Sequence, residues 1–100
     1  MSGIPQIESY TMPHKVISNI AHWKVNADRA VLLFHDMQRY FIRPFSEHDN
    51  PASTLVANSI RLRLACIRAG VPIAYTAQPG DMNQQQRGLL NDFWGPGMTA

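Results

Sequence analysis

The sequence predicts an α/β fold with a parallel sheet flanked by helices. Two short apolar runs, residues 30–35 and 71–76, are continuous rather than alternating, which is typical of strands buried on both faces. Between them, residues 51–69 carry apolar side chains at helical spacing. A strand, a helix and a second strand form one βαβ unit, whose crossover makes the two strands parallel.

Both ends of the long predicted helix carry recognisable signals. Asn50 is expected to cap the N terminus, and Pro51 suits the first helical position because its missing N–H costs nothing there. Gly70 is placed to end the helix in a left-handed conformation. Apolar residues between these ends recur on one face: Val56, Ile60, Leu64 and Ile67.

The segments outside the two strands and the long helix are predicted to be mostly irregular. Residues 1–26 show no sustained periodicity, so we expect an irregular arm with one helical turn near residues 14–19. Residues 39–50 are expected to form a loop, and residues 83–90 a short helix. We therefore interpret residues 27–100 as the βαβ unit with its following loop and helix.

This layout predicts an incomplete domain. Two parallel strands that are apolar on both faces need further strands beside them and helices on both sides. The sequence supplies one long and one short helix, which leaves apolar faces and edges uncovered. We therefore expect residues 1–100 to be the N-terminal part of one larger α/β domain.

Composition and charge disfavour several classes of function. The net charge is +2, and aromatic residues are not interleaved with the basic ones as single-strand binding requires, so no nucleic-acid partner is expected. The first twenty residues hold no continuous apolar run, so we expect no signal peptide and no membrane span. Cys66 is the single cysteine, which predicts a reducing, cytoplasmic compartment.

Four residues form the candidate site. In open parallel sheets, ligands bind beyond the carboxyl ends of the strands. Asp36 directly follows the first predicted strand and Gln78 follows the second, while Arg87 and Trp94 lie in the segment after it. If the two strands are neighbours, a carboxyl group, an amide, a guanidinium and an aromatic ring converge at one edge.

Each of the four also has an ordinary structural interpretation. Asp36 could cap a helix or form an ion pair, whereas the functional interpretation is a carboxylic acid that stays protonated among apolar groups and donates its proton. Gln78 could be a turn residue that bonds its own backbone. Arg87 could be solvated on a short helix, and Trp94 could serve packing.

Two neighbouring candidates are interpreted as structural. His35 should point to the opposite sheet face from Asp36, since strand side chains alternate. Cys66 lies mid-helix and fits a small core residue better than a nucleophile.

Several motifs together resemble isochorismatases. R-A-V-L-L-F-H-D-M-Q-R-Y-F (29–41) resembles their first strand and acid loop, and V-P-I-A-Y-T-A-Q-P-G (71–80) their second strand. Q-R-G-L-L-N-D-F-W-G-P-G-M (86–98) is similar to the signature loop that follows, and S-G-I-P-Q-I-E-S-Y (2–10) to the N-terminal arm. The resemblance covers nearly all of this chain but about the first half of a family member.

The resemblance implies a Rossmann-like α/β domain that hydrolyses a vinyl ether. The implied substrates are isochorismate, as in siderophore pathways, or 2-amino-2-deoxyisochorismate, as in phenazine pathways, and each releases pyruvate. By motif position, Asp36 corresponds to the proton donor, Gln78 and Arg87 to groups that hold the substrate, and Trp94 to a pocket wall. The family also uses a lysine from the second half of the domain and tends to form homodimers.

The residue types suit this chemistry. Hydrolysis of a vinyl ether requires protonation of the terminal methylene carbon, for which a positioned acid such as Asp36 is the main requirement. The substrate is a dianion, and the Arg87 guanidinium can bind a carboxylate through two contacts. No metal or organic cofactor is needed, so we expect none. The chain alone, without the lysine, is expected to be inactive.

Two alternatives stay open from the sequence. One is an amidase that resembles nicotinamidases, whose cysteine nucleophile would lie outside this chain and whose metal could use His48 and Asp49, although two adjacent ligands are weak evidence. The other is a non-catalytic interaction fragment. The motif at residues 86–98 favours vinyl-ether hydrolysis over the amidase.

Overall fold

A two-stranded parallel sheet forms the centre of the fold. In this computed structural model, which describes residues 3–99, β1 spans Leu32–His35 and β2 spans Ile73–Thr76. Leu32 pairs with Ile73 at one end and His35 with Thr76 at the other. The predicted parallel pairing is confirmed, although each strand begins two residues later than expected.

The chain contains one long helix and several short helices. A 3-10 turn at Ala27–Arg29 precedes β1, and four α-helices follow in chain order: α1 at Arg39–Ile42, α2 at Ala52–Ala69, α3 at Gln84–Arg87 and α4 at Leu90–Trp94. Helix α2 connects β1 to β2, so the structure contains the expected βαβ unit. None of the helices within residues 3–99 is long and apolar enough to cross a membrane.

The two ends of α2 test the capping predictions. Gly70 adopts the left-handed conformation with φ +73°, and its N–H bonds back to the last turn, as expected. At the other end the prediction is wrong, because Pro51 occupies the capping position and the Asn50 side chain accepts from the Thr54 hydroxyl instead. A backbone carbonyl of the preceding turn accepts from one of the first N–H groups of the helix instead, since the Ser53 N–H donates to the Asp49 carbonyl at 3.0 Å.

The segment expected to be a loop at residues 39–50 contains helix α1. The Gln38 carbonyl accepts from the N–H groups of Phe41 and Ile42 at 3.0 and 3.1 Å, which closes a single helical turn. Four residues are too few to produce a recognisable hydrophobic period, so the sequence pattern did not indicate this helix.

The single helix predicted at residues 83–90 is instead two helices, α3 and α4. Asn83 and Gln86 form a reciprocal capping box at the start of α3, with bonds of 2.8 and 2.9 Å. Gly88 then adopts φ +57°, outside the helical region, and interrupts the helix before α4 begins.

The N-terminal arm is irregular, as expected. Residues 3–26 contain no helix or strand, so the predicted turn at residues 14–19 is wrong. Val16 and Ile20 in that segment are almost fully exposed, and an isolated turn has no packing partner to stabilise it. Nearer its start the arm is tied down, because the Ile7 N–H donates to the Pro44 carbonyl at 2.8 Å.

The fold buries little apolar surface. The buried apolar residues among residues 3–99 are Pro44, Pro51 and Ala52, and the face of α2 that carries Ile60 and Ile67 is about half exposed. The accessible surface is 8753 Å², whereas about 5,700 Å² is usual for a folded monomer of 11.3 kDa. The radius of gyration is 16.9 Å, against about 13 Å for a compact domain of this length. On the sheet, Leu33 and Tyr75 are also more than half exposed, which agrees with the uncovered apolar sheet faces that the sequence pattern predicts.

Candidate functional site

The carboxyl ends of β1 and β2 lie side by side and bring two candidate residues together. His35 and Thr76 form the last pair of the ladder, so Asp36 and Gln78 emerge at the same edge. The Gln78 Nε2 donates to the Asp36 Oδ2 at 3.2 Å.

A third candidate extends this contact into a row. The Arg87 Nη1 donates to the Gln78 Oε1 at 3.3 Å, so the amide of Gln78 uses its donor for the carboxylate and its acceptor for the guanidinium. Hydrogen bonds therefore link three side chains in a row: Asp36, Gln78 and Arg87. We call them the acid–amide–guanidinium row.

Arg87 is buried, with 6% of its surface exposed, rather than solvated. It closes helix α3, and its Nε donates to the Gly95 carbonyl at 2.8 Å. Within residues 3–99, no carboxylate forms an ion pair with it. A buried charge without a charged partner is costly, so this guanidinium is well suited to receive an anionic ligand.

A cavity of about 660 Å³ adjoins the row. Its volume falls in the range of small-molecule sites. Gln78, Arg87 and Trp94 all line it, and the side chain of Trp94 is itself largely exposed to solvent. The other lining residues are mostly apolar: Ile4, Tyr40, Phe41, Leu90, Pro96, Gly97 and Met98.

Asp36 is connected to the cavity through Gln78 and is not itself among the lining residues. Its side chain keeps 22% of its surface exposed. Its backbone adopts φ +52°, a left-handed conformation that Asp tolerates better than most residues. Thr76 holds it there, because the Thr76 Oγ1 accepts from the Asp36 N–H at 2.9 Å and donates to the Asp36 Oδ1 at 3.3 Å.

The prediction for His35 is wrong. It was expected on the sheet face opposite Asp36, yet its Nε2 lies 3.6 Å from the Asp36 Oδ2 and its Nδ1 lies 2.8 Å from the Thr76 Oγ1. Side chains alternate while the backbone stays extended, and the positive φ of Asp36 ends that geometry directly after His35.

Two residues that sequence reasoning missed hold the row in place, Thr76 and Gln38. The Gln38 Nε2 donates to the Gln78 carbonyl at 2.9 Å, and its Oε1 accepts from the Gln78 N–H at 2.8 Å. A signal was present in the sequence, since Gln38 and Gln78 lie a similar distance beyond the ends of two predicted neighbouring strands.

The residues considered for a metal or nucleophile lie apart from this row. Residues 3–99 contain no group of three His, Cys, Asp or Glu side chains that could hold a metal ion. The His48 Nε2 lies 3.2 Å from the Glu47 Oε1, and the Asp49 Oδ2 accepts from the Ser9 hydroxyl at 3.4 Å. Cys66 lies within α2 and is half-buried.

Comparison with curated proteins gives clear relatives. Phenazine biosynthesis protein PhzD1 of Pseudomonas aeruginosa is 57% identical over the whole chain, which spans 48% of its length. Isochorismatase of Bacillus subtilis is 44% identical over 98% of the chain and 32% of its own length. The chain belongs to the isochorismatase family. It matches the N-terminal part of these relatives, and it spans about half the length of the phenazine proteins.

A more distant relative also matches most of the chain. Enterobactin synthase component B of Escherichia coli is 40% identical over 97% of the chain and 35% of its own length. No protein-family model matches the chain. The relatives confirm the resemblance drawn from the motifs at residues 29–41, 71–80 and 86–98, and the α/β architecture fits part of an isochorismatase-like fold.

Proposed function

We propose that the full-length protein carrying this chain hydrolyses the vinyl ether of isochorismate or 2-amino-2-deoxyisochorismate and releases pyruvate. The acid–amide–guanidinium row beside an apolar cavity supports this most directly. The relatives include an isochorismatase, which is the same class of hydrolase.

In this proposal Asp36 delivers the proton. Its carboxyl group protonates the terminal methylene carbon, and the vinyl ether becomes an oxocarbenium ion with a new methyl group. Water adds to the cationic carbon and returns a proton to the Asp36 carboxylate. The resulting hemiketal then collapses. The bond between that carbon and the former ether oxygen breaks, the ether oxygen stays on the ring and takes the hydroxyl proton, and pyruvate leaves.

Gln78 would orient the acid while this happens. Its Nε2 donates to the Asp36 Oδ2, so the transferable proton would be carried by Oδ1, the oxygen that lies 3.3 Å from the Thr76 hydroxyl. A fixed carboxyl group lowers the entropy cost of reaching the carbon, and positioning of this kind is a large part of enzymatic rate enhancement.

Arg87 would bind a carboxylate of the dianionic substrate. Its guanidinium lines the cavity, is buried, and has no carboxylate partner among residues 3–99. A substrate carboxylate would replace the missing counter-charge through charge-assisted hydrogen bonds. Trp94 would contribute apolar surface against the ring of the substrate. The family lysine and a homodimeric assembly are also part of this proposal for the full-length protein.

Of the two substrates, we propose that 2-amino-2-deoxyisochorismate is preferred. The phenazine biosynthesis proteins of Pseudomonas aeruginosa and Pseudomonas fluorescens are 57% and 53% identical, whereas the Bacillus isochorismatase is 44% identical. Comparison of kcat/KM for the two substrates tests this. A higher value for isochorismate would reverse the assignment without affecting the reaction type.

Isotope labelling tests the reaction itself. The full-length protein is assayed in water enriched in heavy oxygen, with lactate dehydrogenase and NADH present to trap pyruvate as lactate before its oxygen exchanges. Protonation of carbon followed by addition of water predicts label at the hydroxyl oxygen of lactate and none in the ring product. Label in the ring hydroxyl would mean displacement at the ring and would contradict the proposal.

A further inference from the structure

Gln38 forms a two-point clamp on the backbone of Gln78. Its amide nitrogen donates to the Gln78 carbonyl at 2.9 Å, and its amide oxygen accepts from the Gln78 N–H at 2.8 Å. Both bonds are partly buried, and the two residues are forty positions apart in the sequence. The side-chain amide therefore satisfies both backbone polar groups of a single residue, the N–H and the carbonyl of Gln78.

The clamp lies just beyond the ends of β1 and β2, where the hydrogen bonds of the sheet no longer join the two segments that follow these strands. The strand ladder ends at the pair His35 and Thr76, and the positive φ of Asp36 then turns the first segment away from extended geometry. The Asp36 N–H donates once more to the Thr76 carbonyl, at 3.2 Å. Beyond that point the Gln38 side chain supplies the donor and acceptor that a further strand residue would have supplied.

We propose that Gln38 is a positioning residue for the reaction proposed above, because it fixes the backbone at Gln78, whose side chain reaches both Asp36 and Arg87. Gln38 does not line the cavity, so any effect on turnover is transmitted through another residue. The inference rests on the proposed function and adds a residue to its site.

Gln38 could also affect turnover through helix α1, and this route must be separated from the route through Gln78. The Gln38 carbonyl also accepts from the first turn of α1, and Tyr40 and Phe41 of that helix line the cavity. A variant that loosened α1 would alter the cavity without involving Gln78. The experiment therefore needs a comparison that isolates the effect through Gln78.

The test variant is Gln38→Met, which keeps the length of the side chain and removes both hydrogen bonds. In the full-length protein we expect kcat/KM to fall about tenfold to a hundredfold, the usual scale when a group that orients another is lost. The matched control is Gln85→Met, since Gln85 is exposed and makes no side-chain hydrogen bond within residues 3–99. Unchanged turnover in Gln38→Met would overturn the proposal.

A double-mutant comparison identifies the route. In a Gln78→Ala background the side chain that Gln38 positions is gone, so Gln38→Met should cost no more than about twofold. An effect through α1 or through general destabilisation would reduce kcat/KM by the same factor in both backgrounds, and that result would also overturn the proposal. If Gln38→Met fails to fold, Gln38→Glu, which keeps the acceptor for the Gln78 N–H, is measured in the same two backgrounds.

Amide hydrogen exchange tests the clamp without any assay of turnover. The Gln78 N–H should be protected in the unsubstituted protein and exchange at least about tenfold faster in Gln38→Met, while the Leu32 N–H at the far end of the ladder stays unchanged. No change at Gln78 would overturn the inference. Failure of the proposed function would look different, because the heavy-oxygen label would then appear elsewhere while the Gln78 exchange still responded to the clamp.

Discussion

At the scale of residues, the positive φ of Asp36 shapes the edge where β1 and β2 end, because it ends the extended backbone directly after His35. Asp36 and Gln78 could be placed together from sequence because both follow strands that the pattern indicated, and parallel neighbours end at the same edge. The position of His35 could not be obtained this way, since it depends on the positive φ of Asp36. Gln38 was missed because its contact joins a side chain to a distant backbone and leaves no periodic signal.

Gly97 makes room for the guanidinium of Arg87. A Cβ at this position would lie 3.2 Å from the Arg87 Cζ and 3.3 Å from its Nε and Nη1, and the backbone has φ +88°. Gly97→Ala should therefore displace the guanidinium from the cavity wall. We expect KM for the anionic substrate to rise about tenfold, equivalent to about 1.4 kcal/mol of binding, with a smaller change in kcat.

Gly70→Ala is the matched control for this prediction. Gly70 has a similar φ of +73°, and a Cβ there meets nothing within 4 Å, so the variant introduces backbone strain without a contact to Arg87. Steady-state kinetics of both full-length variants provide the measurement. Equal KM values for Gly97→Ala and the unsubstituted protein would show that Arg87 does not contact the substrate as proposed.

At the scale of elements, the length of a segment determined how well it could be predicted. Helix α2 was predicted almost to its ends because apolar spacing persists over its eighteen residues and Gly70 marks its end. Helices α1, α3 and α4 have four or five residues each, too few for a period to emerge. The start of α2 was misplaced because backbone groups of the preceding turn perform the capping.

The end of β2 carries a testable role for Thr76. Its hydroxyl accepts from the Asp36 N–H and donates to the Asp36 carboxylate, so it holds the acid in its left-handed conformation. Thr76→Val keeps the branched shape and removes these bonds, which should cost about 1 kcal/mol of stability and lower kcat about tenfold. Thermal unfolding and turnover of the full-length protein check this, with Thr11→Val as control because Thr11 is exposed. If both variants behaved alike, Thr76 would have no special role.

At the scale of the whole molecule, the exposed apolar surface predicts how the 100 residues behave when isolated. The accessible surface of 8753 Å² and the half-exposed face of α2 indicate a core too small for cooperative folding. We expect the isolated chain to unfold over a broad temperature range without a sharp heat-capacity peak, to bind a hydrophobic dye, and to release no pyruvate.

Calorimetry and sedimentation of the isolated chain check this prediction. A full-length protein that carries the same residues is the control, and we expect it to unfold sharply and to sediment as a homodimer. A sharp two-state transition of the isolated chain as a monomer would show that its small core is sufficient.

Delivery of a proton to carbon by Asp36 can be tested with one pair of variants. Asp36→Asn keeps the shape of the side chain and tolerates the same positive φ, but it cannot supply the acid. Asp81→Asn is the matched control, because Asp81 has a similar φ of +54° and its side chain is exposed. Pyruvate release by the full-length Asp36→Asn protein should fall at least about a thousandfold, toward the upper part of the range for loss of a general acid, while Asp81→Asn stays within about twofold of the unsubstituted protein. Full activity in Asp36→Asn would show that Asp36 does not deliver the proton.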